Sequence, residues 1–392
     1  MPGLGRGRVL RALLLAAGLT CALAVPALAG DAAPAAGPAS DVARVLGGSP
    51  QGFARATTPR VFQFPADHGP HPAYRSEWWY YTANVATAGG RRFAFQLTFF
   101  RFALTPTAPA RESAWASNQV YMAHFAVTDV QAGQFHAAER FSRGALDLAG
   151  ARAEPFRVWL GPWQVSAGEA HFPQRLSAAD DGYAIDVTLS EAKPVVLNGD
   201  AGLSQKSATV GNASYYYSIP RAAVSGTLTT PDGAWPVQGS AWFDREWSSS
   251  ALAADQVGWD WFALQLSDGR DLMIYRLRRA DGGADPHSAG TLVEADGSAR
   301  TLAVADFTLD ELAYWRSPRS GARYPARWRL RVPAARIDVE VVPETADQEL
   351  DLAFRYWEGA SRVTGTSAGA PVSGHGHVEL TGYAPGGVTT PR

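Results

Sequence analysis

The sequence predicts an all-β fold of two antiparallel β-barrels in tandem, with few short helices. From Phe62 onward, short runs of Val, Ile, Phe, Tyr and Trp are separated by Gly, Pro, Asp and Asn, as is typical of antiparallel strands. Segments with the 3.6-residue period of a helix are nearly absent, and one strand-rich unit occurs twice. The 392 residues, 46% of them hydrophobic and 11% aromatic, are enough to form a large core.

The repeat is the more informative observation. Each copy opens with a hairpin of paired aromatic residues, the first from Trp78 to Phe102 and the second from Trp259 to Leu277. Each copy also closes with a Pro-Val-x-Gly strand, which begins at Pro236 in the first and at Pro371 in the second. The second copy has enough strand-like runs to close an up-and-down barrel, and the first carries insertions around residues 150–215.

The start of the sequence predicts a secretory signal peptide. Three arginines precede an apolar run and a small-x-small site, so we expect cleavage after Ala29 and a periplasmic or secreted protein. In the alternative, lipoprotein reading, Cys21, the single cysteine, is acylated, although Gly18-Leu19-Thr20 is a poor approach to such a site. The predicted segments are signal peptide 1–29, flexible leader 30–59, N-terminal barrel 60–250, linker 251–256, C-terminal barrel 257–385 and tail 386–392.

Composition limits the partners and the other elements. The formal net charge of −2 and the lack of a basic run argue against nucleic acid as a partner. The apolar run of the signal is too short to span a bilayer, so we predict no transmembrane segment in the mature chain. Positive charge comes almost entirely from Arg, and Lys193 and Lys206 are the only lysines. Residues Phe307 to Trp315 are predicted to form one short helix.

Three motifs resemble the AttH-like proteins, which are secreted bacterial proteins related to carotenoid 1,2-hydratase. They are Phe64–Pro72 running into Arg75–Thr82, Gly239–Ser248, and Val378–Tyr383. The resemblance covers nearly all of the mature chain and implies two lipocalin-like barrels side by side, in agreement with the repeat. It does not by itself imply an activity, because many relatives are named only by fold or as hydrolases.

The relation to the hydratases implies an active centre that this sequence matches only in part. The implied centre has an acidic residue two places beyond a Tyr in the second barrel, and a His and a Trp on the strand that corresponds to Asp244–Trp247. Trp247 matches the Trp, but Arg245 stands where the His belongs. Tyr275-Arg276-Leu277 offers no acid. The departure argues against hydration of a carotenoid as such, and any related chemistry would rely on Asp244 or Glu246.

Asp244 and Glu246 are candidate catalytic carboxylates. Strand alternation over Ser240–Trp247 places both on one face with Trp242, and places Arg245 on the other. Two carboxylates about 7 Å apart beside an aromatic ring can have split pKa values, so that one stays protonated as a general acid. Such an acid can protonate an alkene, and an aromatic face stabilises the resulting cation. The alternative is a structural Asp-Arg-Glu ion-pair lattice.

His124 is the third catalytic candidate, and the opening hairpin supplies a candidate pocket. His124 alternates with apolar residues on the strand Tyr121–Thr128, and it could equally be a core histidine with satisfied hydrogen bonds. One face of the hairpin combines aromatic rings with hydroxyl and amide groups, as ligand pockets do. The tyrosines that follow Ser214 could line its mouth or simply pack. The candidate ligand-binding residues are Trp78, Tyr80, Asn84, Gln96, Tyr215, Tyr217, Trp242 and Trp247.

A metal site is a weaker prediction. A turn can bring the imidazoles of His68 and His71 together, with Glu77 as a third ligand, but His68 could instead cap the following hairpin. Gly365-Thr366-Ser367-Ala368-Gly369 has the spacing of a serine hydrolase motif, yet a strand follows it where a helix is needed. We therefore expect neither a cofactor nor a nucleophilic serine.

Three functions fit these observations. The first is binding of an extended hydrophobic small molecule, of isoprenoid or acyl type, in the first barrel or at the seam between the barrels. The second is an enzyme of hydro-lyase, isomerase or hydrolase type that uses Asp244, Glu246 and His124. The third is a non-catalytic accessory of an ABC-type transporter, which would present an apolar surface. A pocket that receives an acid with a raised pKa would favour the enzyme.

Overall fold

The computed structural model describes residues 40–41, 50–108, 110–191, 193–250 and 252–383. The predicted signal peptide with its cleavage site, Cys21 and the tail 386–392 lie outside the described residues. Of the predicted leader 30–59, residues 40–41 and 50–59 are described.

One large antiparallel sheet, here the N-terminal sheet, contains thirteen of the described strands. Long strands rich in aromatic and β-branched residues form its centre, and shorter strands follow where the sequence predicts insertions. The strands are β2 (Ser76–Ala86), β3 (Arg92–Ala103), β4 (Gln119–Asp129), β5 (Gln134–Arg143), β6 (Ala149–Arg152), β7 (Arg157–Leu160), β8 (Trp163–Ala167), β9 (Gln174–Asp180), β10 (Tyr183–Glu191), β11 (Val196–Leu197), β12 (Leu203–Gln205), β13 (Ala213–Thr230) and β14 (Gly233–Ser248).

The second sheet, here the C-terminal sheet, contains eleven described strands and is antiparallel except for β1, which pairs in parallel with β23. Three short 3₁₀ helices, Ala66–His68, Val304–Asp306 and Pro333–Ala335, complete the described elements. The strands are β1 (Ser40–Asp41), β15 (Gln256–Leu266), β16 (Asp271–Arg279), β17 (Ala289–Val293), β18 (Ala299–Ala303), β19 (Thr308–Arg316), β20 (Arg323–Val332), β21 (Ile337–Pro343), β22 (Glu349–Asp351), β23 (Phe354–Ser367) and β24 (Ala370–Leu380). The predicted fold class, all-β with two lipocalin-like antiparallel β-barrels in tandem and few short helices, is confirmed.

The two sheets share one strand order, as the repeat predicts. The opening hairpins are β2–β3 and β15–β16, and in each sheet the first hairpin strand also pairs with the closing strand, β14 or β24. The glycines of the two Pro-Val-x-Gly segments occupy matching places. A Cβ on Gly239 would meet Asn84 O at 2.1 Å, and one on Gly374 would meet Gln265 O at 2.4 Å. Both closing strands therefore need glycine where they approach the hairpin backbone.

The predicted helix over Phe307 to Trp315 is wrong, because this segment is strand β19, paired with β20. The pairing register shifts between Glu311 and Ala313, as in a β-bulge. The apolar residues Leu309, Leu312 and Trp315 are three apart in the sequence, which imitates the period of a helix. No helix in the part of the chain described here is long and apolar enough to cross a membrane.

Each sheet surrounds its own apolar core, and the two sheets pack against each other through a third, aromatic cluster. Strand alternation produces this arrangement, since one face of β2, β13 and β14 enters the N-terminal core and the other faces the C-terminal sheet. The cluster between the sheets contains Tyr80, Tyr216, Trp242, Trp261 and Tyr275. The seam between the sheets is therefore built from aromatic residues of both.

Candidate functional site

A cleft of about 960 Å³, its open mouth included, lies between the two sheets. One wall comes from β2, β3, β13 and β14, and the other from β15, β16, β23 and β24. Each wall contributes four aromatic side chains, and carboxyl, hydroxyl and ammonium groups lie between them. The lining residues are Ser76, Trp78, Tyr80, Phe100, Lys206, Ser214, Tyr216, Asp244, Glu246, Ser248, Ser250, Leu252, Trp259, Trp261, Tyr275, Leu277, Tyr356 and Glu379.

Asp244 and Glu246 both face this cleft, because β14 alternates as predicted. The intervening Arg245 points the other way, into the N-terminal sheet, where it pairs with Glu77. The predicted alternative, an Asp-Arg-Glu lattice, therefore does not form, since Arg245 has no ion pair with either neighbour among the described contacts. The two acids are left to the cleft.

Asp244 is a buried carboxyl group with three hydrogen-bond donors around it. Its Oδ1 accepts hydrogen bonds from Ser218 Oγ at 2.5 Å and Trp242 Nε1 at 2.6 Å. Its Oδ2 accepts one from the Tyr216 hydroxyl at 2.5 Å. Burial raises the pKa of Asp244 to about 7, and the nearby Glu246 adds to the rise, while the three donors oppose it. Near neutral pH this carboxyl group therefore holds a proton that it can give.

Glu246 has a different environment, because a cation lies beside it. Lys206 Nζ is 3.3 Å from Glu246 Oε1, and Ser214 Oγ donates to the same oxygen. Lys206 Nζ also lies 4.1 Å from the ring centre of Tyr275. Burial lowers the pKa of Lys206, but Glu246 and Tyr275 outweigh it, so the net shift is upward and the ammonium persists. Asp244 is thus the proton donor of the two acids, and Glu246 forms an ion pair with Lys206.

The opposite wall carries a second pair of acids, Glu358 and Glu379, which face each other across β23 and β24. Tyr80 donates to Glu358 Oε1 at 2.6 Å, and Trp259 Nε1 donates to Glu379 Oε1 at 2.6 Å. Burial and the charge of Glu379 raise the pKa of Glu358 well above its usual range.

Three of the predicted ligand-binding residues meet at the cleft. Trp78 and Tyr80 line it, and Trp242 lies directly behind as a donor to Asp244. Asn84 and Gln96 lie at the seam farther along, where Asn84 Nδ2 donates to Gly376 O at 3.4 Å and Gln96 Nε2 donates to the Tyr356 hydroxyl at 3.0 Å.

The other three predicted ligand-binding residues lie elsewhere. Tyr215, Tyr217 and Trp247 point into the core of the N-terminal sheet and do not line the cleft as described. The middle tyrosine of the triplet, Tyr216, lines it instead. His124 lies behind the cleft wall, fully buried, with Nδ1 2.7 Å from the Tyr356 hydroxyl.

The weak metal candidates serve other contacts. His68 stacks on His171 with ring centres 3.3 Å apart, and its Nδ1 lies 2.6 Å from the Tyr217 hydroxyl. Burial, His171 and Arg245 lower the pKa of His68 to about 2. His71 stacks on Trp247 with ring centres 3.7 Å apart. The described residues contain no group of three or more His, Cys, Asp or Glu arranged to hold a metal ion.

Sequence reasoning missed Lys206, Tyr356 and the pair Glu358–Glu379. One signal was available for the lysine, since the chain has only two. A lysine in a chain whose other basic residues are almost all arginine indicates a specific contact. The glutamates carried no such signal, because each is one acid in a strand of the second copy.

The raised pKa of Asp244 predicts a pH-dependent difference between the wild type and Asp244→Asn. Above pH 4 the unfolded chain loses the Asp244 proton while the folded protein keeps it up to about pH 7. The stability that this group contributes is therefore present below pH 4 and is lost as the pH rises toward 7. From pH 5 to pH 7 the asparagine variant should gain roughly 2 kcal/mol relative to the wild type, measured by urea unfolding.

The matched control for this measurement is Asp338→Asn. Asp338 is exposed, and its hydrogen bonds to Arg329 lower its pKa. Its carboxylate is ionised in both states over the same pH range, so this variant should show no such drift. A free-energy difference for Asp244→Asn that stays constant from pH 5 to pH 7 would contradict the raised pKa.

Comparison with known proteins identifies relatives. A family model described as AttH-like matches residues 55–383. The crystal structure of a protein assigned to AttH from Nitrosomonas europaea is 33% identical, with 85% of this chain and 100% of that chain covered and a TM-score of 0.76. Kievitone hydratase from Nectria haematococca is 17% identical over 86% of this chain and 98% of its own, with a TM-score of 0.65, which shows a common fold. No curated protein matches the chain.

Proposed function

Because the chain belongs to the AttH-like family, whose fold builds a seam between two sheets, we propose that this seam is an active site. We infer an acid–base enzyme that adds water to a carbon–carbon double bond of an apolar substrate. The observation that carries the proposal is Asp244, a buried carboxyl group with a pKa near 7 among aromatic rings. A general acid works best when its pKa lies close to the working pH.

The first step is proton transfer from Asp244 to one carbon of the double bond. The π electrons form the new C–H bond, and the neighbouring carbon becomes a cation. The hydroxyl groups of Ser218 and Tyr216 and the indole N–H of Trp242 already point at Asp244. These donors stabilise the carboxylate as it forms, so they favour the transfer without reorganisation.

The second step is capture of the cation by water. The faces of Trp78, Trp259 and Trp261 in the cleft walls can stabilise the cation before capture. The water oxygen then bonds to the carbon and gives one proton to solvent by way of the polar groups of the cleft wall. Lys206 and Glu246 form one polar corner of the cleft, beside Asp244.

Substrate class follows from the lining. A cleft walled by aromatic rings suits an apolar molecule with one double bond near the acids, such as an isoprenoid. The name of kievitone hydratase places hydration among the activities of proteins with this fold. We further propose, from the predicted signal peptide, that the enzyme works in the periplasm or outside the cell.

The test is a screen of unsaturated isoprenoid alcohols and prenylated phenols in ¹⁸O-labelled water. Mass spectrometry should detect a product with one added ¹⁸O, and Asp244→Asn should form it about 10²- to 10⁴-fold more slowly. Tryptophan fluorescence gives the binding readout, and a long-chain tertiary ammonium ion should bind more tightly than an alcohol of the same shape. Binding without incorporation across the panel would reject the enzyme and leave a carrier of apolar molecules.

A further inference from the structure

Tyr356 lines the cleft from β23, on the wall opposite Asp244, and its hydroxyl reaches across the seam to His124 on β4 of the N-terminal sheet. The Tyr356 oxygen accepts a hydrogen bond from Gln96 Nε2 at 3.0 Å, so its own hydrogen is left for His124 Nδ1 at 2.7 Å. Burial lowers the pKa of His124 to about 3, so the ring is neutral. A neutral imidazole that accepts at Nδ1 carries its proton on Nε2.

The far side of His124 meets a carboxylate. Glu139 lies opposite His124 on the neighbouring strand, and the distance from His124 Nε2 to Glu139 Oε2 is 3.9 Å. Both atoms are buried, and neither has a hydrogen-bond partner among the described residues. The Glu139 side chain is 21% exposed and reaches solvent on its outer side. The Nε2–H of His124, a donor, and Oε2 of Glu139, an acceptor, therefore face each other. A small side-chain rotation brings them within hydrogen-bond distance.

Tyr356 and the reacting acid Asp244 line the same cleft. Tyr80 is the cross-strand partner of Asp244, and its hydroxyl donates to Glu358, two residues from Tyr356 on the same face of β23. The two sides of the cleft are therefore joined through Tyr80, and a substrate held beside Asp244 lies between the two walls.

We propose that Tyr356 is a catalytic residue that takes the proton from the attacking water, and that Glu139 and His124 act through it as a relay to solvent. A carboxylate, an imidazole and a hydroxyl group follow one another, as they do where a hydroxyl group is activated as a nucleophile. Here the hydroxyl group instead takes a proton from the attacking water. This inference rests on the proposed hydration.

The proton balance closes. As the water oxygen bonds to the cation, one water proton moves to the Tyr356 oxygen, the Tyr356 proton moves to His124 Nδ1, and the Nε2 proton moves to Glu139. Burial and the charges of Glu358 and Glu379 raise the pKa of Tyr356 well above its usual range, so a free phenolate is disfavoured and the transfers are concerted. Glu139 returns its proton to solvent. The relay is reset when a solvent proton passes back through Glu139, His124 and Tyr356 into the cleft and reprotonates Asp244, which restores the Nε2–H form of His124.

The relay can be tested without a substrate. The Nε2 proton of His124 should exchange with water by way of Glu139, because His124 is otherwise buried. In ¹⁵N-histidine-labelled protein, NMR should show His124 as the Nε2–H tautomer, and Glu139→Gln should slow exchange of that proton about tenfold or more. His136, on the same strand as Glu139 and 3.2 Å from Asp180, is the internal control and should not change. Equal exchange in both proteins, or a proton on Nδ1, would overturn the relay.

Turnover gives the second arm. With a substrate from the ¹⁸O screen, Tyr356→Phe should lower kcat about 10²-fold with little change in KM. Glu139→Gln should lower kcat and remove the part of the pH profile that belongs to Glu139, and Glu139→Asp should restore part of both. If Asp244→Asn abolishes turnover while Tyr356→Phe does not, the relay fails and the proposed function stands. If exchange depends on Glu139 but no substrate is hydrated, the proposed function fails and the proton path is kept without its catalytic role.

Discussion

Replacing Asp244 by asparagine is expected to lower kcat for the addition of water by about 10²- to 10⁴-fold, the usual contribution of a positioned general acid. Asparagine keeps the size of the side chain and can still accept from Ser218 and Trp242, so the cleft should keep its shape. It has no proton acidic enough to give to an alkene. KM should change little, because the aromatic walls bind the substrate.

The pH dependence makes this prediction sharper. Activity of the wild type should fall as the pH rises through about 7, because Asp244 then loses the proton that the reaction needs. The residual activity of Asp244→Asn should lack this decline. Asp338→Asn, a change at an exposed ion pair, is the control and should behave as the wild type does. A variant at Asp244 with near-normal kcat would exclude it as the acid.

The second large effect concerns Glu77, the buried carboxylate that forms an ion pair with Arg245. Glu77 is fully buried and forms ion pairs with Arg101 and Arg245, while the backbone N–H of His71 donates to its oxygens at 3.1 and 3.0 Å. Arg245 lies 4.0 Å from the ring centre of Trp79. Burial raises the pKa of Glu77, but the two guanidinium groups outweigh it and hold the pKa well below its usual range.

Glu77→Gln should therefore lower the free energy of unfolding by about 3–5 kcal/mol, because it leaves two buried guanidinium groups with no counter-charge. Urea unfolding at pH 7 measures the loss. The exposed pair Arg329–Asp338 provides the comparison, since Asp338→Asn should cost at most about 1 kcal/mol. If the two substitutions cost the same, the cluster around Glu77 would not be the strong contact that its burial indicates.

Much of this architecture could be predicted from the sequence, because strand alternation and turn residues are local signals. The two hairpins and the shared cleft face of Asp244 and Glu246 are of this kind, and the structure bears them out. The tyrosine triplet shows the limit. Three identical residues in a row do not indicate which side chains face the cleft, because strand alternation fits them in either register. From the sequence, Tyr215 and Tyr217 are therefore as good candidates as Tyr216.

The remaining parts of the site depend on contacts between distant segments. Tyr356 reaches the cleft only because β23 packs against strands more than 200 residues earlier, as the hydrogen bond between Tyr356 and His124 shows. Lys206 reaches Glu246 from β12 and its loop, within the segment predicted only as an insertion. Local periodicity carries no information on which side chains such packing brings together.

The pairing of each opening hairpin with its own closing strand also determines when either sheet can be completed. β14 lies between β2 and β13, and β24 between β15 and β23, so the last strand made is a central one in both cases. A chain emerging from a ribosome or crossing a membrane has to hold β2 with one side unpaired until residue 248 is available. Truncation just before Ala370 would remove β24 from the middle of the C-terminal sheet and divide the sheet into two parts that no longer pair with each other. The segment from Ala370 onward therefore decides whether the second half folds at all.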